Sequence, residues 1–196
     1  MTIVLASLSA ARRTMLTAAG VIYDAVAAGV DEEAAKQALR ADGLAARDLA
    51  DALAELKAVR ISARRPGDLV LGCDQTLALD DGTMLDKPGT ALAEQLRLLS
   101  GRTHSLYSAI VAAENGQPIW RSVDRVKLTV RPLSEVFIAD YVLQEGEFVA
   151  GCVGGYRIEG LGAQLFSKIE GSHFTILGLP LLQLLDWLRS RGMMPS

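Results

Sequence analysis

An α/β protein with a mixed sheet and helices on both sides is what the sequence predicts, on three observations. Short runs of Val, Ile and Leu alternate with stretches whose apolar residues recur at helical spacing. The run Leu69-Val70-Leu71-Gly72-Cys73 is continuously apolar and bounded by turn signals, as a buried central strand is. Two long segments of strand formers flank Asn115-Gly116, the signature of an antiparallel hairpin. With 196 residues, 50% of them hydrophobic and 22% charged, the chain is long enough to bury a sizeable core and too apolar for a disordered one.

In chain order, Ile3-Val4-Leu5-Ala6 predicts a first strand, and Ser7 and Ser9 supply hydroxyl caps for a helix over 10–18. Val21-Ile22-Tyr23 predicts a second strand. A loop through Gly29 and Asp31 leads to a helix over 32–40 with acidic residues in its first turn, ended at Asp42-Gly43. Leu49, Ala52, Leu53, Leu56 and Ala58 predict a long amphipathic helix over 45–60, stopped before Pro66-Gly67. The central strand is expected to end at Asp74-Gln75-Thr76. Asp80-Asp81-Gly82 predicts a turn, 89–99 a helix ended at Ser100-Gly101, and 104–113 with 119–130 the hairpin. Ser134-Glu135 starts a helix through Leu143. The segment 146–162 carries six of the 18 glycines, which predicts a loop that approaches a ligand closely. A strand over 165–169 and an amphipathic helix over 179–191, with Pro180 in its first turn, complete the chain.

Composition excludes several classes of function. A formal net charge of -3 offers no bulk attraction to nucleic acid or to an anionic membrane, so neither is an expected partner. Cys73 and Cys152 are far apart and lack a CxxC spacing, which argues for reduced, packed thiols. The apolar run 3–6 is far shorter than a signal-peptide core, and a cytoplasmic location is expected. There is no GxxxxGK[ST] loop, no GxGxxG after a strand, no GxSxG elbow and no HExxH. With only His104 and His173 present, a Ser-His-Asp triad or a His-rich metal site is hard to assemble.

The candidate residues each have two readings when taken singly. Ser7, Ser9, Arg12 and Arg13 at a helix start hold an anion, or merely cap the helix beside solvated arginines. Asp74 is a general base, a metal ligand or the cap of a turn, and a carboxylate on a buried strand is costly unless it is paired or used. Lys87 in Asp86-Lys87-Pro88 meets a phosphate or sits in a solvated turn. Glu32 is a ligand or a helix-dipole residue, and Lys57 a functional ammonium or a snorkelling side chain.

Order and joint presence change that weighting. The segments are Leu5-Ala6-Ser7-Leu8-Ser9-Ala10-Ala11-Arg12-Arg13-Thr14-Met15-Leu16, Asp31-Glu32, Lys57-Ala58, Leu71-Gly72-Cys73-Asp74, Lys87-Pro88 and Leu99-Ser100-Gly101-Arg102-Thr103-His104. They continue in Tyr156-Arg157-Ile158-Glu159-Gly160, Ile169-Glu170-Gly171 and Leu177-Gly178-Leu179-Pro180. As an ordered set covering nearly the whole chain, they resemble the Maf family of nucleoside triphosphate pyrophosphatases. Many members have Pro-Arg-Arg where this chain has Ala10-Ala11-Arg12, so only the second arginine is kept. Asp74-Gln75 and Glu159-Gly160 stand where the dTTP/UTP branch has Asp-Thr and Gln-Gly, and they look like the 7-methyl-GTP branch. That branch often carries Trp where this chain has Ala11.

The resemblance implies an elongated sheet and a nucleotide cleft between two lobes. It implies that Ser7, Ser9 and Arg12 bind the triphosphate, while Lys57 and Lys87 neutralise charge on the departing pyrophosphate. Glu32 and Asp74 share a divalent cation, Mg²⁺ or Mn²⁺, and Asp74 orients or deprotonates the attacking water. Gln75, Glu159 and Ala11 face the base. A Glu carboxylate accepts hydrogen bonds from a guanine N1–H and exocyclic amine, which gives a purine preference a physical reason. The implied role is removal of modified nucleotides from the precursor pool. The family's link to septum formation supplies an alternative, a nucleotide-binding regulator of cell division with little turnover. A homodimer paired through apolar edges of the 104–130 hairpin is a further expectation.

Overall fold

The computed structural model describes residues 2–195. Strand β1 (Ile3–Leu5) leads into helix α1 (Ala10–Ala18), then β2 (Asp24–Ala25), α2 (Glu32–Ala41) and α3 (Ala46–Ser62). Next come β3 (Leu69–Leu79), β4 (Met84–Leu85), α4 (Leu92–Leu99) and the hairpin β5 (Thr103–Glu114) and β6 (Gln117–Val130). Helix α5 (Glu135–Val149), a 3-10 turn (Leu161–Leu165), β7 (Phe166–Glu170), α6 (His173–Ile176) and α7 (Leu181–Ser190) follow. One sheet runs in the order β2-β1-β3-β5-β6-β7, with β4 on β3. Strand β1 pairs parallel with both β2 and β3 and the other pairings are antiparallel, so the sheet is mixed as expected.

Three boundaries differ from expectation, each for a tertiary reason. The second strand lies at Asp24–Ala25, because Val21 is spent in the core closing the turn from α1, its N–H donating to the Leu16 carbonyl. Strand β3 does not end at Asp74; it continues to Leu79 because β5 pairs with it from Val70 to Leu79. Helix α5 runs through Gly146 to Val149 because Ile138, Tyr141, Glu145 and Val149 form one buried stripe. That stripe offsets the roughly 1 kcal/mol a helical glycine costs. Ser9 stands at the N-cap of α1, but its side chain makes no capping hydrogen bond.

The cleft follows from how β3 is bordered. On the edge away from β5, β3 pairs with β1 at Leu69, Val70 and Leu71 and with β4 at Leu77 and Ala78. Residues 72–76 have no strand beside them there, and the gap divides the sheet edge into two lobes. Separate cores lie on either side of it. Leu5, Leu16, Leu71, Cys73, Leu184 and Leu188 pack in one, and Leu77, Leu96, Leu106, Leu128, Tyr141 and Tyr156 in the other. Alternation along β3 turns Gly72, Asp74 and Thr76 toward α3. Gly72 permits the approach: a Cβ there would lie 2.2 Å from the Ala54 carbonyl oxygen and 2.5 Å from the Ala58 nitrogen. Ala50, Ala54, Ala58, Ala109, Val111 and Ala113 line that contact, so helix and sheet sit close.

His104 is fully buried, with Nε2 2.7 Å from the Tyr156 hydroxyl and Nδ1 unpartnered. Burial pushes its pKa down to about 4 from an ordinary 6.5, so the ring is neutral in the folded protein. The unfolded chain binds this proton more readily, so stability falls as pH drops below 6.5 and levels off near 4. The difference amounts to about 3 kcal/mol. Denaturant titrations of His104→Gln across that range are expected to show this part of the slope removed. An unchanged slope would assign the acid sensitivity to other groups.

The hairpin is interior rather than edge structure over most of its length. Strand β5 is paired on both sides, and β6 carries β7 along Lys127–Val130, leaving only its stretch 117–126 without a strand on the outer side. No helix among the described residues is long and apolar enough to cross a membrane.

Candidate active site

The gap beside β3 opens into a cleft of about 1260 Å³. Ser7, Ser9, Ala11, Arg12, Glu32, Lys57, Asp74, Gln75, Lys87 and Glu159 all line it. Arg13 is exposed and does not.

At its floor, Lys57 is 4% exposed and its Nζ donates to Asp74 Oδ1 at 2.6 Å. The same ammonium lies 2.9 Å from Glu32 Oε1. The snorkelling reading of Lys57 is therefore excluded: position 57 belongs to the buried stripe of α3. Asp74 is neither at a strand end nor a turn cap; it sits mid-strand opposite Ala109 and is 7% exposed. Burial would raise the Glu32 carboxyl, but the Lys57 hydrogen bond and charge, with Lys87 and Arg12 beyond, hold it below its usual value.

One wall is the start of α1. The first N–H groups of a helix have no partner within it, and with Ser9 not capping they remain available to an anion. Arg12 is fixed across the gap. Its Nε donates to the Gly178 carbonyl at 2.8 Å, and its Nη1 to the Cys73 carbonyl at 3.1 Å and to Ser7 Oγ at 3.3 Å. Gly178 has φ +95°, and a Cβ there would sit 3.3 Å from the Arg12 Nε, so glycine serves both the turn and the close approach.

The opposite wall carries Lys87, exposed and without a salt bridge among the described residues. Asp86 beside it is gripped by Lys36 and by Arg40 Nη1, the latter at 2.7 Å. Helix α2 buries no residue of its own, so this clasp and the Glu32–Lys57 pair tie it to the body. No motif in the sequence marks Lys36; its i, i+4 spacing to Arg40 is the one local signal of a shared partner.

Gln75 points to the sheet face opposite Asp74. Its amide nitrogen bonds Ser108 Oγ and the Thr175 carbonyl, both at 2.9 Å, and the Ile176 carbonyl at 3.1 Å. The NH2 group is thus committed to α6, and only the amide oxygen remains to meet a ligand. Glu159 is exposed on the cleft wall.

Ser7, Arg12, Lys57, Asp74 and Lys87 thus come together in one cleft from four separate segments of the chain. A family model described as "Maf-like protein" matches residues 2–191. The chain belongs to the Maf family. Among its Maf relatives, a protein of Sphingopyxis alaskensis is 53% identical over 198 residues, covering 100% of both chains. One of Hyphomonas neptunium is 54% identical, covering 99% of this chain and 98% of the relative. A third, of Caulobacter vibrioides, is 52% identical over 97% and 96%. All three are named nucleoside triphosphate pyrophosphatase.

Two carboxylates at one ammonium bear on a metal. Lys57 takes one oxygen of each, leaving Asp74 Oδ2 and Glu32 Oε2 free of it. Among the described residues no group of three or more His, Cys, Asp or Glu side chains is arranged to hold a metal. Hard oxygen donors in this number suit Mg²⁺ or Mn²⁺ only when phosphate oxygens and water complete the shell.

Proposed function

We propose that this Maf protein is a nucleoside triphosphate pyrophosphatase, cleaving the α–β phosphoanhydride to a nucleoside monophosphate and pyrophosphate. The observation that carries this reading is the buried Lys57 joining Asp74 and Glu32 at the floor of a cleft whose walls offer Arg12, Lys87 and the open N-terminus of α1. The names and near full-length identity of its relatives support it.

In this reading the helix start, Ser7, Ser9 and Arg12 grip the triphosphate, and the many fixed bonds of Arg12 keep its guanidinium from reorienting. Asp74 accepts a hydrogen bond from water and takes its proton as the oxygen attacks the α-phosphorus. The α–β bridging bond breaks, and Lys57 and Lys87 balance the charge gathering on pyrophosphate. Asp74 and Glu32 would hold a divalent cation, with phosphate oxygens and water completing its shell. Such an ion acidifies water and screens phosphate charge when bound.

The base preference proposed is for guanine, 7-methyl-GTP in particular. Gln75, with its NH2 engaged, and Glu159 both present acceptors, which suit the N1–H and amine of guanine. Glu159 is exposed, and a few hydrogen bonds of about 0.5 to 1.5 kcal/mol each set the difference between bases at roughly 10- to 100-fold.

Pyrophosphate release from 7-methyl-GTP, GTP, dTTP, UTP and CTP, with and without Mg²⁺ or Mn²⁺, tests both levels. Metal-dependent turnover led by 7-methyl-GTP is expected. Turnover led by dTTP or UTP would remove the base assignment and keep the mechanism. Nucleotide binding without turnover would favour the regulator of cell division.

A further inference from the structure

Helix α5 buries Ile138, Tyr141, Glu145 and Val149, and Phe148 falls outside that stripe. The residue is 63% exposed and lines the cleft. The ring is also backed. The Arg157 guanidinium carbon lies 4.9 Å from its centroid. Arg157 is itself clamped by Glu145 through three hydrogen bonds of 2.9 to 3.2 Å. The Glu145 side chain is 8% exposed, so a buried carboxylate is dedicated to holding the cation that lies against this ring.

A rigid, solvent-facing aromatic surface in a cleft otherwise rich in phosphate-binding charge matches the one flat, apolar part of a nucleotide. Glu159, two residues beyond Arg157, lines the same cleft, and its carboxylate suits the hydrogen-bonding edge of such a group rather than its plane. We propose that Phe148, braced by Arg157 and Glu145, is the platform on which the nucleobase stacks. The proposal rests on the pyrophosphatase reading for the identity of the ligand. Stacking uses the π face that every base has, so Phe148 sets affinity for nucleosides as a class while edge contacts choose among them. Binding of the bare phosphate chain does not involve it.

The test is calorimetric binding of α,β-methylene analogues of GTP and UTP, which resist cleavage, alongside inorganic tripolyphosphate. Phe148→Ala and Phe148→Leu are each expected to weaken both analogues about tenfold, inside the roughly 5- to 150-fold range of base–aromatic stacking. Tripolyphosphate affinity is expected to stay the same, and Phe148→Trp to bind the GTP analogue at least as tightly as the parent. Unchanged analogue affinity in Phe148→Ala would overturn the proposal. So would full affinity in Phe148→Leu, which keeps apolar bulk without a π face, or an equal loss of tripolyphosphate binding. If the parent protein binds the analogues but releases no pyrophosphate from any nucleotide, the pyrophosphatase reading falls, and the same affinities still decide the role of Phe148.

Discussion

Asp74→Asn is expected to lower kcat by about 10³-fold while leaving nucleotide affinity within about threefold, since a general base contributes about 10²- to 10⁴-fold. Asparagine keeps the shape of the side chain and an oxygen for Lys57 Nζ, which sits 2.6 Å from Oδ1. It cannot take a proton from water. The fold should tolerate the change because Glu32 remains at 2.9 Å as a partner for the ammonium. Single-turnover pyrophosphate release and equilibrium binding, measured side by side, separate the outcomes. Joint loss of binding and hydrolysis in a folded variant would make Asp74 a binding residue. Recovery of turnover at raised Mn²⁺ would make holding the metal its main work, and retained activity would remove it from the chemistry.

Lys57→Met carries the largest expected effect on stability. Methionine fills similar space, but Asp74 is then left in a nearly buried position without its counterion. Removing one partner of a buried pair costs about 3 to 5 kcal/mol, which for a chain of this size lowers Tm by roughly 10 °C. The deficit is pH-dependent in a definite direction. Lys57 holds the Glu32 carboxyl below its ordinary value of 4.5. That contribution is present above the unfolded value and is lost as pH falls through the lower folded one. The variant lacks it, so the gap in Tm from the parent is expected to be full at neutral pH and to narrow below 4.5. A constant gap down to strongly acid pH would show that lost packing, rather than lost charge, causes the destabilisation. Pyrophosphate release should fall with it by about 10²- to 10³-fold, the usual effect of deleting one charge-stabilising group.

Much of this molecule is written locally. The α/β class, most of its helices and the hairpin at Asn115-Gly116 follow from apolar periodicity and turn chemistry, which depend on neighbours a few residues away. The spaced motifs that name the family are likewise linear, and they picked out ten of the residues that line the cleft. Their relations to one another are not linear. Arg12 is oriented by Gly178, 166 positions along the chain, and the Gln75 amide is taken by carbonyls at 175 and 176. Nothing near Lys57 in sequence announces that it is buried between two carboxylates, because the same amphipathic pattern accommodates a snorkelling lysine. That outcome was decided by the close approach of α3 to Gly72 and by the pairing of β3 with β5 through position 74. The continuation of α5 to a cleft-facing Phe148 was equally out of local reach, since a glycine-rich stretch predicts a loop until a buried stripe holds it helical. Local propensity contributes tenths of a kcal/mol per residue, whereas burial of a side chain contributes whole ones, so packing settles each position where the two disagree.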